Sequence, residues 1–189
     1  MALSSQLGAY RQSYQSSHDL AIQVSGQLSD EQFNWKPSAT SWSVGECIEH
    51  LNIVAEKYLP LFESASSADH PNGNGPFRYG LISRKFINSV SPDSRRLPTA
   101  DAMKPPAGTA DRSALNKKQT LEAFDSLTQR YLVVIDNCEG LDIAAIKIRS
   151  PFLKLLRLPL GAFLEALGQH AIRHVHQAKR VTEASGFPT

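Results

Sequence analysis

No apolar run in the 189 residues approaches the roughly 20 that a membrane-crossing helix needs, so no spanning segment and no membrane partner are expected. Net charge is also nearly absent. At +2 it supplies no electrostatic case for nucleic acid or anionic lipid as the main partner. Cysteine is scarce: Cys47 and Cys138 lie far apart and form no CxxC pair, which predicts two reduced thiols rather than a disulfide framework. The opening MALSSQLGAYRQSYQ has no basic region followed by an apolar core, so no secretory signal is expected and the reading is a cytoplasmic protein. A Gly-x-Ser-x-Gly elbow and a glycine-rich phosphate loop are both missing, which leaves a hydrolase triad and a nucleotide cradle without support.

What is present is ordinary for a globular chain: 41% hydrophobic and 20% charged residues. The length fits one domain over 1–189 with a real core. Four segments carry helical periodicity. The first runs from about Leu3 to Leu28 on a loose stripe of Leu3, Leu7, Tyr10, Tyr14, Leu20, Val24 and Leu28. The segment Ser29 to Ser41 reads as a loop that packs Trp35 and the nearby Trp42 onto the helices. The second helix has the clearest start, a Ser43/Glu46 capping box. About five amphipathic turns follow, with Val44, Cys47, Ile48, Leu51, Val54, Ala55, Tyr58, Leu61 and Phe62 on one stripe.

From about Ser64 to Asn116 the breaker clusters PNGNGP, SPDSRRLP and KPPAG dissolve the pattern, with a short helix or turn expected at Tyr79 to Val90. So long an irregular stretch is often functional, and here it could cover one end of the helices. The third helix is expected from about Lys117 to Cys138, begun by Asn116 or Thr120 and stopped by Gly140. The connector LDIAAIKIRSPFLKLLRLPLG does not alternate and contains Pro151 and Pro159, so it reads as irregular chain with one helical turn and no strand. The fourth helix runs from near Pro159 to about Ser185. Four long helices without strands predict an all-α bundle.

The chemistry lies in GQHAIRHVHQAKRV. His170 and His174 are four residues apart, so on a helix their side chains point about 40° apart and both rings can reach one point. That is the geometry two imidazoles need to hold one divalent ion. Phe163, Leu167, Gln177 and Val181 share their face, so the pair is expected to look inward, whereas His176 projects elsewhere. A third ligand should come from another helix. His50 fits, at the edge of the second helix's stripe, where it could line a cavity. His18 and His70 are expected to be solvent-exposed, and Glu46 and Glu49 to point away from the cavity. Cys47, one turn before His50, could be a thiolate ligand or nucleophile, but its place on the core stripe favours a small buried hydrophobe.

The run Trp42-Ser43-Val44-Gly45-Glu46-Cys47-Ile48-Glu49-His50-Leu51 resembles the WS-x-x-E-x-x-x-HL signature of the DinB-like superfamily. Its second half is matched by His170-x-x-Arg173-His174-x-x-Gln177, and Trp35-Lys36-Pro37 is also similar to the family. The resemblance implies an up-down-down-up four-helix bundle with a long crossover between the second and third helices. It implies a three-histidine site, carried onto His50, His170 and His174, for zinc, nickel or a related divalent metal. Arg173 and Gln177 would then orient or support the ligands. Several relatives are transferases or isomerases that use a low-molecular-weight thiol such as bacillithiol or mycothiol. The expected function is therefore a metal-dependent thiol S-transferase acting on a small-molecule substrate. A metal-dependent hydrolase and a non-catalytic, stress-related metal-binding protein are the alternatives, and a homodimer is plausible.

Overall fold

Local chemistry starts and stops the helices of the computed structural model, which describes residues 4–95, 99, 101–105 and 115–189. Ser4 caps α1 (Ser5–Ser25) by accepting from the Leu7 amide. Ser29 and Gln32 form a full capping box on α2 (Asp30–Asn34), a short helix where a loop was expected. Its Ser-x-x-Gln spacing was present in the sequence, but five residues are too few to show a period. Ser43 and Glu46 cap α3 (Val44–Ser67), which runs a full turn beyond Phe62 and contains Pro60 on an exposed face. α4 (Leu81–Val90) fills the place of the expected short helix, and a 3₁₀ turn covers Asp101–Met103. Asn116 starts α5 (Lys117–Asn137), and Gly140 follows in the left-handed region at φ +82°, which glycine adopts without strain. α6 (Leu160–Thr182) follows Pro159.

Three further expectations need correction. α1 stops at Ser25, short of Leu28, with Gly26 as its C-terminal cap, and Leu3 lies outside the described residues. Leu61, counted on the α3 stripe, is 38% exposed. The connector is not strandless: β1 (Lys147–Arg149) and β2 (Arg157–Pro159) form an antiparallel hairpin in which Ile148 faces Leu158. Ile148 is buried between exposed Lys147 and Arg149, and Leu158 is buried between exposed Arg157 and buried Pro159, but three residues per strand give no readable alternation.

The four long helices pack around a shared core. α1 lies against α5 and α6, and α3 lies against the same two. Contacts fix which levels meet. Arg11 pairs with Asp136 and His18 with Asp125 between α1 and α5. Between α3 and α5, Asn52 bonds the Thr120 carbonyl and Glu63 takes a two-pronged bond from Arg130. Between α3 and α6, His50 meets His170 while Tyr58 meets Phe163. α4 packs on the outside of α6 through Phe86 and Phe163, whose ring centroids are 5.5 Å apart.

Two apolar clusters result. The larger is built on Tyr14, Tyr58, Phe62, Tyr131 and Phe163, and the smaller joins Phe33, Val44, Ile48, Phe124 and Val175. Each such side chain, fully buried, contributes about 1.5–3 kcal/mol. Gly45 lets α2 dock on α3, because a Cβ there would stand 2.6 Å from the Phe33 ring. Among the described residues no helix is long and apolar enough to cross a membrane.

Candidate metal centre

The three histidines singled out from the sequence meet where α3 faces α6. Their ring centroids stand 5.0 Å (His50–His170), 4.5 Å (His50–His174) and 4.5 Å (His170–His174) apart. One nitrogen from each lies within 4.8 Å of the other two, and no cysteine or carboxylate joins the cluster among the described residues. His176 is exposed and takes no part.

His50 and His174 are buried and His170 is half-buried. His50, expected at the edge of the α3 stripe, is 2% exposed. Its Nδ1 lies 2.6 Å from the Met103 carbonyl oxygen. A carbonyl can only accept, so Nδ1 carries the proton and Nε2 keeps its lone pair. That Nε2 points at His170 Nε2, 3.2 Å away. Met103 orients the ring as a backbone carbonyl commonly orients a ligating imidazole. Nothing in the sequence signals Met103, which comes from the irregular segment.

Burial pushes the pKa of all three histidines down. For His170 and His174 the shift is large, and after burial the main cause for each is a neighbouring imidazole, His174 acting on His170 and His50 on His174. The cluster is held neutral, the protonation state a metal requires of its imidazole ligands. One atom is left over. His174 Nδ1 is buried without a hydrogen-bond partner, an omission that costs about 1–3 kcal/mol in a chain with no ligand there. Three neutral, converging imidazoles with an orphaned nitrogen fit a divalent ion.

Neighbouring residues set the walls. The Ser43/Glu46 box fixes the first turn of α3: Glu46 Oε2 accepts from the Ser43 amide at 2.8 Å, and its other oxygen accepts from Lys36 at 2.9 Å. Trp42, one residue before the cap, lies against His174 (5.6 Å, 25° between planes) and His50 (5.0 Å). Its role as a wall was not read from the sequence, although Trp42 stands in the quoted signature. Trp42 and His170 keep partial exposure, so the approach to the rings is from their side. Arg173 clamps the end of α4 through the Ser89 and Ser91 carbonyls and the Ser94 hydroxyl, and its charge helps push the pKa of His170 and His174 down. Gln177, three residues along α6 from His174, partly opposes the downward shift of that imidazole.

A small cavity of about 30 Å³ adjoins His170, walled by Tyr14, Leu51, Leu127, Tyr131 and Leu167 among others. It admits a water-sized guest and is far below the roughly 300 Å³ of a small-molecule pocket. Cys47 is buried with its thiol pKa pushed far up by burial, which makes it a packing residue. Glu49 accepts from Asn52. His18 and His70 are half-buried rather than exposed; His18 stacks on Phe124 and reaches Asp125 at 2.9 Å.

Comparison with known proteins agrees with this geometry. The family model of the DinB superfamily matches residues 14–178. Among solved structures, YfiT from Bacillus subtilis, described as a probable metal-dependent hydrolase with an unusual four-helix bundle topology, superposes with a TM-score of 0.63. It shares 13% identity, over 100% of this chain and 93% of that one. No curated protein sequence matches the chain. With the family model spanning most of its length, the chain belongs to the DinB superfamily.

Proposed function

We propose that the protein is a metal-dependent enzyme that holds zinc or nickel through His50, His170 and His174 and catalyses S-transfer from a low-molecular-weight thiol to a small electrophile. The observation that carries this reading is the neutral three-imidazole cluster, which no carboxylate joins among the described residues. Three protein ligands leave a position free, at which a divalent ion lowers the pKa of a thiol or a water. The chain offers no thiol of its own, since Cys47 and Cys138 are both buried. A thiol nucleophile therefore comes from outside, past Trp42 and His170. Once ionised, a thiol needs no further proton acceptor, which suits a cluster that no carboxylate joins among the described residues.

Hydrolysis is the second reading. The water-sized cavity beside His170 favours it, as does the description of YfiT. One assay separates the two. Metal-loaded protein is given an aryl halide with a small thiol, and separately an activated ester without thiol. Thiol-dependent conjugation that disappears in His50→Ala supports S-transfer. Ester cleavage with the same dependence selects hydrolysis. Neither reaction would return the protein to a binding role.

We also infer the up-down-down-up order of α1, α3, α5 and α6. Its support is the levels that meet: Arg11 and His18 pair backwards along α5, Asn52 and Glu63 pair forwards along it, and His50 and Tyr58 pair backwards along α6.

A further inference from the structure

The near-zero net charge conceals a strong asymmetry. Residues 76–90 contain Arg78, Arg84 and Lys85, and residues 144–160 contain Lys147, Arg149, Lys154 and Arg157, with no acidic residue in either stretch. The whole chain is at +2, so setting these seven cations aside leaves the remainder at −5. Elsewhere the basic side chains are commonly neutralised: Arg11, Lys36, Lys104, Lys118, Arg130 and Lys179 all have carboxylate partners. Among the described residues none of the seven forms an ion pair; Lys147 and Arg149 reach only backbone carbonyls.

The same two stretches carry the three most protruding aliphatic side chains among the described residues, ahead of Val133 on α5 at 56%. Leu155 is 99% exposed, Leu81 77% and Ile82 69%, and Leu153 adds 49%. No buried face explains them. The stretches are also neighbours. β2 ends at Pro159, just before α6 begins, and Tyr79, two residues before α4, places its hydroxyl 2.0 Å from where a Cβ on Gly161 would stand. Both therefore meet the first turn of α6, roughly 15 Å along that helix from His170.

We infer that this end of the molecule is a peripheral docking surface for an anionic lipid bilayer, built from Leu81, Ile82, Leu153 and Leu155 among the seven unpaired cations. Aliphatic tips enter the acyl boundary while lysine and arginine heads stay at the phosphates. Polybasic charge beside such tips draws a protein to an anionic leaflet. A surface for single-stranded nucleic acid would offer exposed aromatic rings for bases to stack on, and the protruding side chains here are aliphatic. The total charge, read alone, argued against anionic lipid; its distribution reverses that reading. The inference does not depend on the metal centre.

Vesicle sedimentation of the full chain tests it, with phosphatidylcholine vesicles that contain or lack phosphatidylglycerol. Binding is expected only with phosphatidylglycerol, weakening as salt rises. Leu153→Ser with Leu155→Ser, and separately Lys154→Glu, should each lower partitioning roughly tenfold or more. Lys57→Glu, the same charge change on exposed α3, should lower it much less. No sedimentation with anionic vesicles, or equal loss in Lys57→Glu, overturns the proposal. So does a wild-type dimer that the leucine pair converts to monomer, which would make the surface a contact between copies. Preferential binding to a single-stranded oligonucleotide would overturn it as well.

Discussion

α6 carries two polar clusters, one in each half, and they are finished differently. Near its start, Glu165 Oε2 accepts from Tyr10 Oη at 3.2 Å. Tyr10 Oη in turn accepts from Gln6 Nε2 at 2.8 Å and lies 2.9 Å from Tyr79 Oη. Further along, the three histidines converge with His174 Nδ1 unpartnered. The other buried side-chain atom without a partner among the described residues, Asn52 Oδ1, lies two residues from His50. The first cluster is closed on itself and joins α1, α6 and the segment before α4. The second is left open. A polar group buried without a partner is destabilising unless something else completes it, so the open cluster marks the place for a ligand and the closed one serves the fold.

The sharpest way to break the closed cluster is Gly161→Ala. The new methyl would meet Tyr79 Oη at 2.0 Å and the Ile143 side chain at 2.6 Å, and moving the Tyr79 hydroxyl aside breaks its contact with Tyr10. Overpacking with loss of the network should lower stability by about 3 kcal/mol in urea denaturation. Tyr10→Phe removes the shared hydroxyl and leaves Gln6, Tyr79 and Glu165 without it, which should lower stability by about 2 kcal/mol.

The open cluster should respond with the opposite sign. His174→Leu keeps the volume and deletes the orphaned nitrogen, so the metal-free chain should gain about 1 kcal/mol while losing metal. A loss of stability in the metal-free variant would mean that His174 has a structural partner.

Acid and alkali should separate the two ends. The folded pKa values of His50, His170 and His174 lie below the unfolded value of about 6.5. Their neutral burial thus contributes stability that is full above that pH and is lost as pH falls toward the folded values. The folded values of Tyr10 and Tyr79 lie above the unfolded value of about 10, so their contribution is full below pH 10 and is lost as pH rises beyond it. Melting temperature should drop on both sides of neutrality, and His174→Leu should flatten only the acid limb.

How much of this could be read in the sequence follows the same division. The histidine spacing on α6 and the Ser43/Glu46 box are local, periodic signals, and both stand in the structure where the sequence placed them. Trp42 against His174 and Met103 against His50 depend on how distant segments fold over α3 and α6, which no local period encodes. The Tyr10–Tyr79–Glu165 cluster joins residues 69 and 155 positions apart for the same reason, and it was not anticipated. The hairpin at Lys147–Pro159 was missed because its strands are too short to alternate.

The most direct test of the open cluster is metal content by mass spectrometry on tag-free protein, wild type beside His174→Ala, after incubation with zinc or nickel. The account predicts about one ion per chain in the wild type and almost none in the variant, because three imidazoles are needed to complete the site. Equal metal in both, or none in the wild type, would contradict it and leave the three histidines as a buried cluster without a ligand.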